Sequence, residues 1–328
     1  MKAIVCTKYG TPDVLQFQEV EKPVAKEDEI LIKIHAAAVT TAGLIGRKGE
    51  PFFTRLFSGL FKPKKNILGM ELAGEIEAIG ENVKLFEEGE QVFGLTGMSL
   101  GSNAEYKSLS ENAAVIRKSS NTDYVESVAV IEGGLTALNF LNNKGKIQRG
   151  QKVLIYGASG SVGTASIQLA KYFGAEVTGV CSTANIKMVK LLGANTAIDY
   201  TKEDFTKNGQ TYDIIFDTVG KQSFFRCRDS LKPQGVYLDA AGISTIFHMC
   251  WTSLFSRKKA ILTATYMRPT SVIKRDLAIL KELVEAGEIK PVIDRCYTLE
   301  QTAEAHQYVE TGRKKGNVVI KTNQDVGN

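Results

Sequence analysis

The chain has 328 residues, of which 43% are hydrophobic and 23% charged, and its net charge is +5. The length predicts two domains, and so small a charge excess requires no nucleic-acid partner. No apolar run reaches the roughly 18 residues that span a membrane, and the first residues form a predicted strand rather than a signal peptide. Five cysteines without a Cys-x-x-Cys pair favour a reducing cytoplasm over a disulfide framework.

The first third of the chain is predicted to be rich in β-strands. Residues 15–20 alternate apolar and polar side chains, as expected for a half-buried strand, and residues 30–34 and 72–79 form further predicted strands. Glycines interrupt this region at short intervals. Dense turns between short strands are typical of a compact barrel or sandwich-like domain.

After about residue 121, predicted strands and helices alternate. The apolar strand 152–156 precedes a glycine cluster, and a helix then runs from Ser161 to Phe173 and ends at Gly174. This alternation predicts an α/β fold with a doubly wound parallel sheet. The other predicted strands are 176–181, 196–200, 213–217, 235–241 and 260–265, with a helix at 186–192.

The alternation ends near residue 269. A helix is predicted at 274–286, and a strand at 316–320 that returns to the first domain. The predicted domains are therefore a substrate domain, formed by residues 1–122 and 269–328, and a dinucleotide-binding domain, formed by residues 123–268.

A candidate dinucleotide loop lies between a strand and a helix. Gly160 would let the backbone approach a pyrophosphate, Gly163 would let helix and strand pack closely, and the helix N-terminus would attract the phosphates. Ala158 stands at the first glycine position of the motif. The alternative, a plain tight turn, is less consistent with the surrounding α/β units. The candidate residues are Gly157, Ala158, Ser159, Gly160, Ser161, Val162 and Gly163.

The next strand favours NADP(H) over NAD(H). An NAD site places an acidic residue about 20 residues after the glycine loop. Here Ser182, Thr183 and Lys187 follow the strand, with no carboxylate among residues 181–187. Two hydroxyls and a lysine suit a 2′-phosphate, which an acid would repel. The alternative interpretation of Lys187 is a surface lysine that opens a helix.

Together these segments resemble the medium-chain dehydrogenase/reductase superfamily, and in particular its zinc-independent, quinone oxidoreductase-like branch. The resemblance covers essentially the whole chain and includes residues 39–49, 69–80, 134–137 and 217–220. It implies a GroES-like substrate domain, a Rossmann domain and a nicotinamide cofactor held between them.

The resemblance also implies cofactor contacts at individual positions. Ser182, Lys187 and Tyr200 match positions that bind the 2′-phosphate and the adenosine end. Thr136, Val219, Gly220 and Gly242 match positions on the nicotinamide side. Asn317 stands where the family often has a lysine near the C-terminal strand.

Zinc-containing relatives carry a histidine and a glutamate after a glycine, whereas this chain has Gly69, Met70 and Glu71. A thioether is a poor zinc ligand compared with an imidazole. Cysteines are also missing where the resemblance places the partner ligands. No metal is therefore expected.

A second departure concerns the catalytic residues. Family members often carry Asn or Thr followed three positions later by Asp near the nicotinamide, whereas this chain has Thr40 and Gly43. Thr40 is the candidate to hydrogen-bond a substrate oxygen, or else an ordinary residue at a strand end. The missing acid leaves open how far catalysis is affected.

Without a Lewis acid, conjugate reduction of a quinone or an α,β-unsaturated carbonyl compound is favoured, because hydride addition leaves a delocalised enolate. The alternatives are an NADP-dependent alcohol dehydrogenase that acts on small alcohols or ketones, and a non-catalytic nucleotide-binding relative. Water or Tyr106 would supply the proton, although Tyr106 is equally plausible as a core residue.

Two apolar segments, residues 52–65 and 246–255, are candidates for a substrate pocket or lid, or for ordinary packing within their domains. An amphipathic helix at a membrane interface is a further interpretation of residues 52–65, less favoured than a pocket, a lid or ordinary packing. An open apolar sheet edge at residues 260–266 predicts a homodimer, which the resemblance also implies.

Overall fold

A computed structural model describes residues 1–242 and 245–322, apart from the side chains of Phe53 and Phe57. The chain forms two compact units. The first, here called the β-rich unit, contains Met1–Ile131, Pro269–Glu285 and the residues from Ile293 onward; the second, the nucleotide unit, contains Glu132–Arg268 and Ala286–Val292.

This division differs from the expected domain boundaries at two segments. Residues 123–131 group with the β-rich unit, where the ring of Tyr124 stacks on His35 with centroids 4.3 Å apart. Residues 286–292 group with the nucleotide unit, because Lys290 and Gln168 exchange two hydrogen bonds of 2.9 and 3.0 Å.

The secondary structure of the first 138 residues follows in chain order. The elements are β1 (Lys2–Cys6), β2 (Leu15–Glu19), β3 (Glu29–Ala38), α1 (Thr41–Lys48), α2 (Arg55–Ser58), β4 (Glu71–Ile79), β5 (Gln91–Leu95), β6 (Tyr106–Ser110), β7 (Ala114–Arg117) and α3 (Tyr124–Leu138).

The remaining elements begin with the first strand of the parallel sheet. They are β8 (Lys152–Tyr156), α4 (Ser161–Tyr172), β9 (Glu176–Cys181), α5 (Ile186–Leu191), β10 (Thr196–Asp199), β11 (Tyr212–Asp217), α6 (Phe224–Cys227), β12 (Leu231–Asp239), α7 (Thr245–Phe255), β13 (Lys259–Leu262), α8 (Thr270–Glu285), β14 (Ile293–Thr298), α9 (Thr302–Glu310) and β15 (Asn317–Lys321).

The nucleotide unit contains a six-stranded sheet in the order β10-β9-β8-β11-β12-β13, in which all neighbours are parallel. The predicted doubly wound sheet is therefore confirmed. The chain adds β9 and β10 on one side of β8 and then β11 to β13 on the other. In such sheets ligands bind at the carboxyl ends of the strands where this order reverses, which is here beside β8.

Helix α4 shows how closely the local pattern fixes its ends. It begins after Gly160 and ends at Tyr172, one residue before the predicted end. Gly174 has a φ of +79°, a left-handed conformation that favours glycine and terminates helices.

The β-rich unit contains a seven-stranded sheet in the order β14-β15-β3-β4-β5-β7, with β6 paired to β3. Strand β15 pairs antiparallel with β3, so the predicted return of the C-terminal strand is confirmed. The mixed sheet and the parallel sheet together give the predicted combination of a GroES-like and a Rossmann-like fold.

Strand β2 forms where it was predicted, but its predicted half-burial is wrong. Only Leu15 is buried, and Phe17 is 38% exposed. The strand pairs with β1 alone in a two-stranded ribbon, and Leu15 is its residue that packs into a core cluster of the β-rich unit.

Helix α7 packs against strand β13, which Thr252 and Met249 both contact. Thr245 and Thr252 are buried, whereas Phe247, Leu254 and Phe255 are between 72% and 78% exposed. The hydroxyl of Thr252 accepts a hydrogen bond of 3.1 Å from the backbone N–H of Ala260 in β13. The predicted apolar segment 246–255 therefore lies in a helix that exposes Phe247, Leu254 and Phe255 but packs Met249 against the core of the nucleotide unit.

Candidate active site

The loop after β8 has the geometry of a phosphate-binding turn. A Cβ atom at Gly163 would overlap the carbonyl oxygen of Gly157, so glycine is required where helix and loop meet. A Cβ atom at Gly157 would lie 2.7 Å from the hydroxyl of Thr218. At Gly160, by contrast, the nearest atom would be 3.6 Å away. Gly157 and Gly163 therefore close the loop, and Gly160 leaves space beside it.

The N-terminus of α4 is open to an anion. Its N-cap residue Gly160 has no side chain to accept a hydrogen bond from the first turn. Ser161 and Val162 begin the helix, and the Ser161 hydroxyl donates a hydrogen bond of 2.7 Å to Glu132. The positive end of the helix dipole lies at this loop and favours an anion, which fits the phosphates of a dinucleotide.

Buried contacts hold the loop in place. Ala158 is fully buried, and a Cβ atom at Gly179 in β9 would lie 3.1 Å from its methyl group. The side-chain amide of Asn185 donates to the hydroxyls of Ser159 and Ser182, at 3.0 and 3.3 Å. Asn185 therefore joins the glycine loop to the end of β9, and the structure brings these predicted cofactor residues together.

A carboxylate lies beside the predicted 2′-phosphate residues. Thr183 donates its hydroxyl hydrogen to Asp199, at the end of the neighbouring strand β10, and Thr201 donates to the same carboxylate at 2.7 Å. These hydrogen bonds hold the pKa of Asp199 below its usual value. Lys187 and Tyr200 are exposed nearby in sequence, on α5 and after β10. Asp199 was not predicted as an acidic neighbour of this site, because it lies on another strand, outside residues 181–187.

On the other side of β8, two turns follow β11 and β12. Val219 and Gly220 lie in the first turn, and Gly242 lies in the second. Burial raises the pKa of Asp217, which precedes the first turn, and the nearby Asp239 raises it further. Thr136 is buried in α3 and was predicted on this side.

Thr40 belongs to the β-rich unit and is the N-cap of α1. Its hydroxyl oxygen accepts a hydrogen bond of 3.2 Å from the backbone N–H of Gly43, which leaves the hydroxyl hydrogen able to donate. Val39 and Val318 share a backbone hydrogen bond of 2.9 Å, so Thr40 and Asn317 lie next to each other where β3 ends and β15 begins.

His306 is a neighbour of this turn that was not predicted. A Cβ atom at Gly43 would lie 4.0 Å from its Cε1 atom. Burial, with a contribution from the nearby Arg47 guanidinium, lowers the pKa of His306 to about 3. The imidazole is therefore neutral near pH 7. No local pattern connects Gly43 with a residue of α9.

The donor set does not fit a zinc ion. Within residues 1–242 and 245–322, no three His, Cys, Asp or Glu side chains cluster in a way that could hold a metal. Met70 stands where the resemblance places the histidine of zinc-containing relatives, directly before Glu71, the first residue of β4.

No helix in the described part of the chain is long and apolar enough to cross a membrane.

A parallel sheet with an open glycine loop at its switch point, joined to a GroES-like unit, defines a nicotinamide-dependent oxidoreductase. The sequence matches the family models described as "Alcohol dehydrogenase GroES-like domain" at residues 26–120 and "Zinc-binding dehydrogenase" at residues 192–320. The chain belongs to the medium-chain dehydrogenase/reductase superfamily, as predicted.

Named relatives cover nearly the whole chain. It is 33% identical to a 2-methylene-furan-3-one reductase from Solanum lycopersicum, over 98% of this chain and 79% of that protein. It is 29% identical to an NADPH-dependent alkenal/one oxidoreductase, chloroplastic, from Arabidopsis thaliana, over 98% and 79%. The solved quinone oxidoreductase from Coxiella burnetii is 28% identical with a TM-score of 0.88, over 98% and 99%.

Proposed function

We propose that the chain is a zinc-independent, NADPH-dependent oxidoreductase that reduces quinones or α,β-unsaturated carbonyl compounds by hydride transfer. The observation that carries this proposal is the open loop at Gly160, with α4 behind it, in a chain that resembles enone and quinone reductases along its length. When bound, NADPH supplies the hydride. The residues of the chain bind the phosphates, orient the substrate and stabilise the oxyanion.

NADPH is proposed as the cofactor on two grounds. Ser182, Thr183 and Tyr200 surround the end of β9 and β10 with hydroxyl groups, and Lys187 adds a positive charge. The Arabidopsis relative is named as NADPH-dependent. Asp199 opposes a 2′-phosphate, but its carboxylate already accepts the hydroxyls of Thr183 and Thr201.

Thr40 is proposed to donate its hydroxyl hydrogen to the substrate carbonyl oxygen. The oxygen of Thr40 accepts a hydrogen bond from the backbone N–H of Gly43, which orients the hydroxyl. Its hydrogen remains able to donate to a substrate oxygen. Such a donor stabilises negative charge that develops on oxygen when hydride adds to the β-carbon. Position 43 is a glycine and offers no acidic side chain. The proton that adds to the α-carbon of the enolate is therefore proposed to come from water.

The test is NADPH oxidation with a panel of quinones, enones and simple ketones, with and without a chelator. Turnover of enones or quinones that survives the chelator is the expected result. Ketone turnover that the chelator abolishes would support the alcohol dehydrogenase alternative. NADPH binding without any turnover would support a non-catalytic relative.

A pair of variants tests the role of Thr40. Thr40→Ser keeps the hydroxyl and the helix cap, and is expected to retain most of kcat. Thr40→Val removes both, and should lower kcat by roughly 10- to 100-fold while costing about 1 kcal/mol of stability. Equal activity of the two variants would contradict the proposed role.

The homodimer and the cytoplasmic location remain proposals. Strand β13 is the last strand of the parallel sheet and pairs with β12 alone, and the adjacent helix α7 leaves Phe247, Leu254 and Phe255 exposed. An unpaired edge beside exposed apolar side chains favours association with a second copy. All five cysteines are free, which fits a reducing compartment.

A further inference from the structure

Two neighbouring strands of the nucleotide unit end in the same way. Strand β11 ends at Asp217 and strand β12 at Asp239, and the sheet register pairs these two residues. Each begins a D-x-x-G sequence, which ends at Gly220 or Gly242. Both aspartates are fully buried. A buried carboxylate is costly unless hydrogen bonds compensate it, so the partners of each carboxylate matter.

The carboxylate of Asp217 accepts hydrogen bonds from the turn that follows it. One oxygen accepts the backbone N–H groups of Val219 and Gly220, at 3.0 and 2.9 Å. The other accepts the backbone N–H of Gln222 at 2.7 Å and the hydroxyl of Tyr237 at 3.3 Å. Three N–H groups of one turn are therefore tied to a single side chain.

Asp239 repeats this pattern one strand further along the sheet. One oxygen accepts the backbone N–H groups of Ala241 and Gly242, at 2.9 and 2.7 Å. The other accepts the hydroxyl of Thr245, the first residue of α7, at 2.5 Å. The carboxylate therefore fixes both its own turn and the start of the next helix.

The two turns also touch each other. Gly220 has a φ of +68°, and a Cβ atom there would lie 3.0 Å from the backbone nitrogen of Gly242. A Cβ atom at Gly242 would overlap the carboxylate of Asp239. Neither glycine can be replaced without moving a neighbour, so the two turns and their aspartates form one rigid assembly.

The place of this assembly in the sheet indicates which half of a dinucleotide it borders. The residues proposed for the adenosine end, Ser182 and Tyr200, follow β9 and β10 on one side of β8. The two turns follow β11 and β12 on the other side. Because a dinucleotide lies across the switch point, the turns border the nicotinamide half.

We infer that Asp217 and Asp239 are positioning residues, whose carboxylates hold the backbone at Val219, Gly220 and Gly242 in the shape that receives the nicotinamide half of the cofactor. This inference rests on the proposed function. Neither carboxylate contacts the reacting atoms, because both are buried beneath the turns and all four oxygens are used by the protein.

Asparagine in place of either aspartate would disturb these turns. An asparagine keeps one carbonyl oxygen, but its NH2 group would face the backbone N–H of Gln222 at position 217. At position 239 it would face the hydroxyl of Thr245, which must turn from donor to acceptor. Hydrogen bonds to a charged carboxylate are also about twice as strong as neutral ones.

The experiment measures the Kd of two probes by titration: NADPH, and adenosine 2′,5′-bisphosphate, which lacks the nicotinamide half. In Asp217→Asn and Asp239→Asn the Kd of NADPH is expected to rise about tenfold, because a charge-assisted hydrogen bond is lost. The Kd of adenosine 2′,5′-bisphosphate should change less than twofold. KM for NADPH should rise more than kcat falls.

Asp213→Asn is the matched control. Asp213 lies near the other end of β11, where it accepts the backbone N–H of Lys152 at 2.8 Å and the ammonium of Lys232 at 2.7 Å. Its replacement should leave both Kd values unchanged. If the Asp217 and Asp239 variants fail to fold, Thr245→Val decides, because it removes only one hydrogen-bond donor and should raise the Kd of NADPH about threefold.

The outcomes separate this inference from the proposed function. Folded variants that bind NADPH like the wild type would overturn the positioning role, even if the wild-type enzyme reduces enones. Equal weakening of both probes would also overturn it, because the effect would not be confined to the nicotinamide half. A wild-type chain that binds no NADPH would instead overturn the proposed function.

Discussion

Buried charged groups in the two units can be held in different ways, as three residues show. In the nucleotide unit, the carboxylates of Asp217 and Asp239 accept N–H groups from turns that directly follow them. In the β-rich unit, the fully buried Arg47 donates to the carbonyl oxygen of Gly10 at 2.6 Å and pairs with Glu310, which is 263 residues away.

The buried aspartates of the nucleotide unit and the buried Arg47 of the β-rich unit also differ in how many of their polar atoms form hydrogen bonds. The Nε atom of Arg47 and the Nδ1 atom of His306 have no hydrogen-bond partner in the described part of the chain. The turns after Asp217 and Asp239 therefore supply hydrogen bonds to every oxygen of these carboxylates. Arg47 and His306 each keep a buried nitrogen atom without a hydrogen bond among the described residues. The comparison predicts that the nucleotide unit responds most to backbone changes and the β-rich unit to pH.

The largest effect is expected from Gly163→Ala. The new methyl group would overlap the carbonyl oxygen of Gly157, which is backbone and cannot move away cheaply. We expect a loss of about 3 kcal/mol in the free energy of unfolding and at least 100-fold weaker NADPH binding. Denaturant unfolding and NADPH titration measure the two effects.

Gly160→Ala is the control for that substitution. Its methyl group would meet only one atom within 4 Å, at 3.6 Å, so the fold should tolerate it. NADPH binding should still weaken if a phosphate approaches Gly160. Equal losses of stability in the two variants would show that the close contacts at Gly163 do not determine the conformation of this loop.

An intermediate effect is expected from His306. Its pKa is about 3 in the folded chain and 6.5 for an ordinary histidine, so between these values the unfolded chain binds the additional proton. Stability from this group is therefore complete above pH 6.5 and is lost as the pH falls. Between pH 7 and pH 5 the loss should be about 2 kcal/mol.

Unfolding experiments at both pH values, with His306→Gln alongside the wild type, measure this contribution. The variant should show a smaller loss between pH 7 and pH 5. A wild-type pH dependence in His306→Gln would refute the assignment to His306.

The smallest effect concerns cofactor preference. Asp199→Asn removes the negative charge beside Thr183 but keeps an acceptor for its hydroxyl. The ratio of kcat/KM for NADPH over NADH should rise about fivefold, because repulsion of the 2′-phosphate is relieved in a solvent-rich site. Asp204→Asn, a few residues further along the chain, is the control and should leave this ratio unchanged. An unchanged ratio in the Asp199 variant as well would place the 2′-phosphate away from Asp199.

Local patterns predicted much of the nucleotide unit. The apolar strand 152–156 and the start of α4 at Ser161 were placed at the correct residues, because strand burial and a glycine turn are both visible in short windows. The loop Gly157–Gly163 was found for the same reason. Its individual cofactor contacts remain predictions.

The parts that were missed depend on neighbours distant in sequence. Asp199 reaches Thr183 through the pairing of β10 with β9, and His306 lies beside Gly43 only after α9 has packed. The exposure of Phe17 depends on which layer covers β2. Periodicity describes one element, whereas these features require knowledge of what packs against it.

Strand β3 has a consequence for how the protein is made. It pairs with β4 and β6, which follow soon after it, and with β15, which begins at Asn317. On the ribosome all six strands of the nucleotide sheet emerge before β15, so this sheet can assemble while residues 36–38 of β3 still lack their pairing with β15. The order of synthesis therefore lets the nucleotide sheet fold first, while the sheet of the β-rich unit is completed only when β15 pairs with the end of β3.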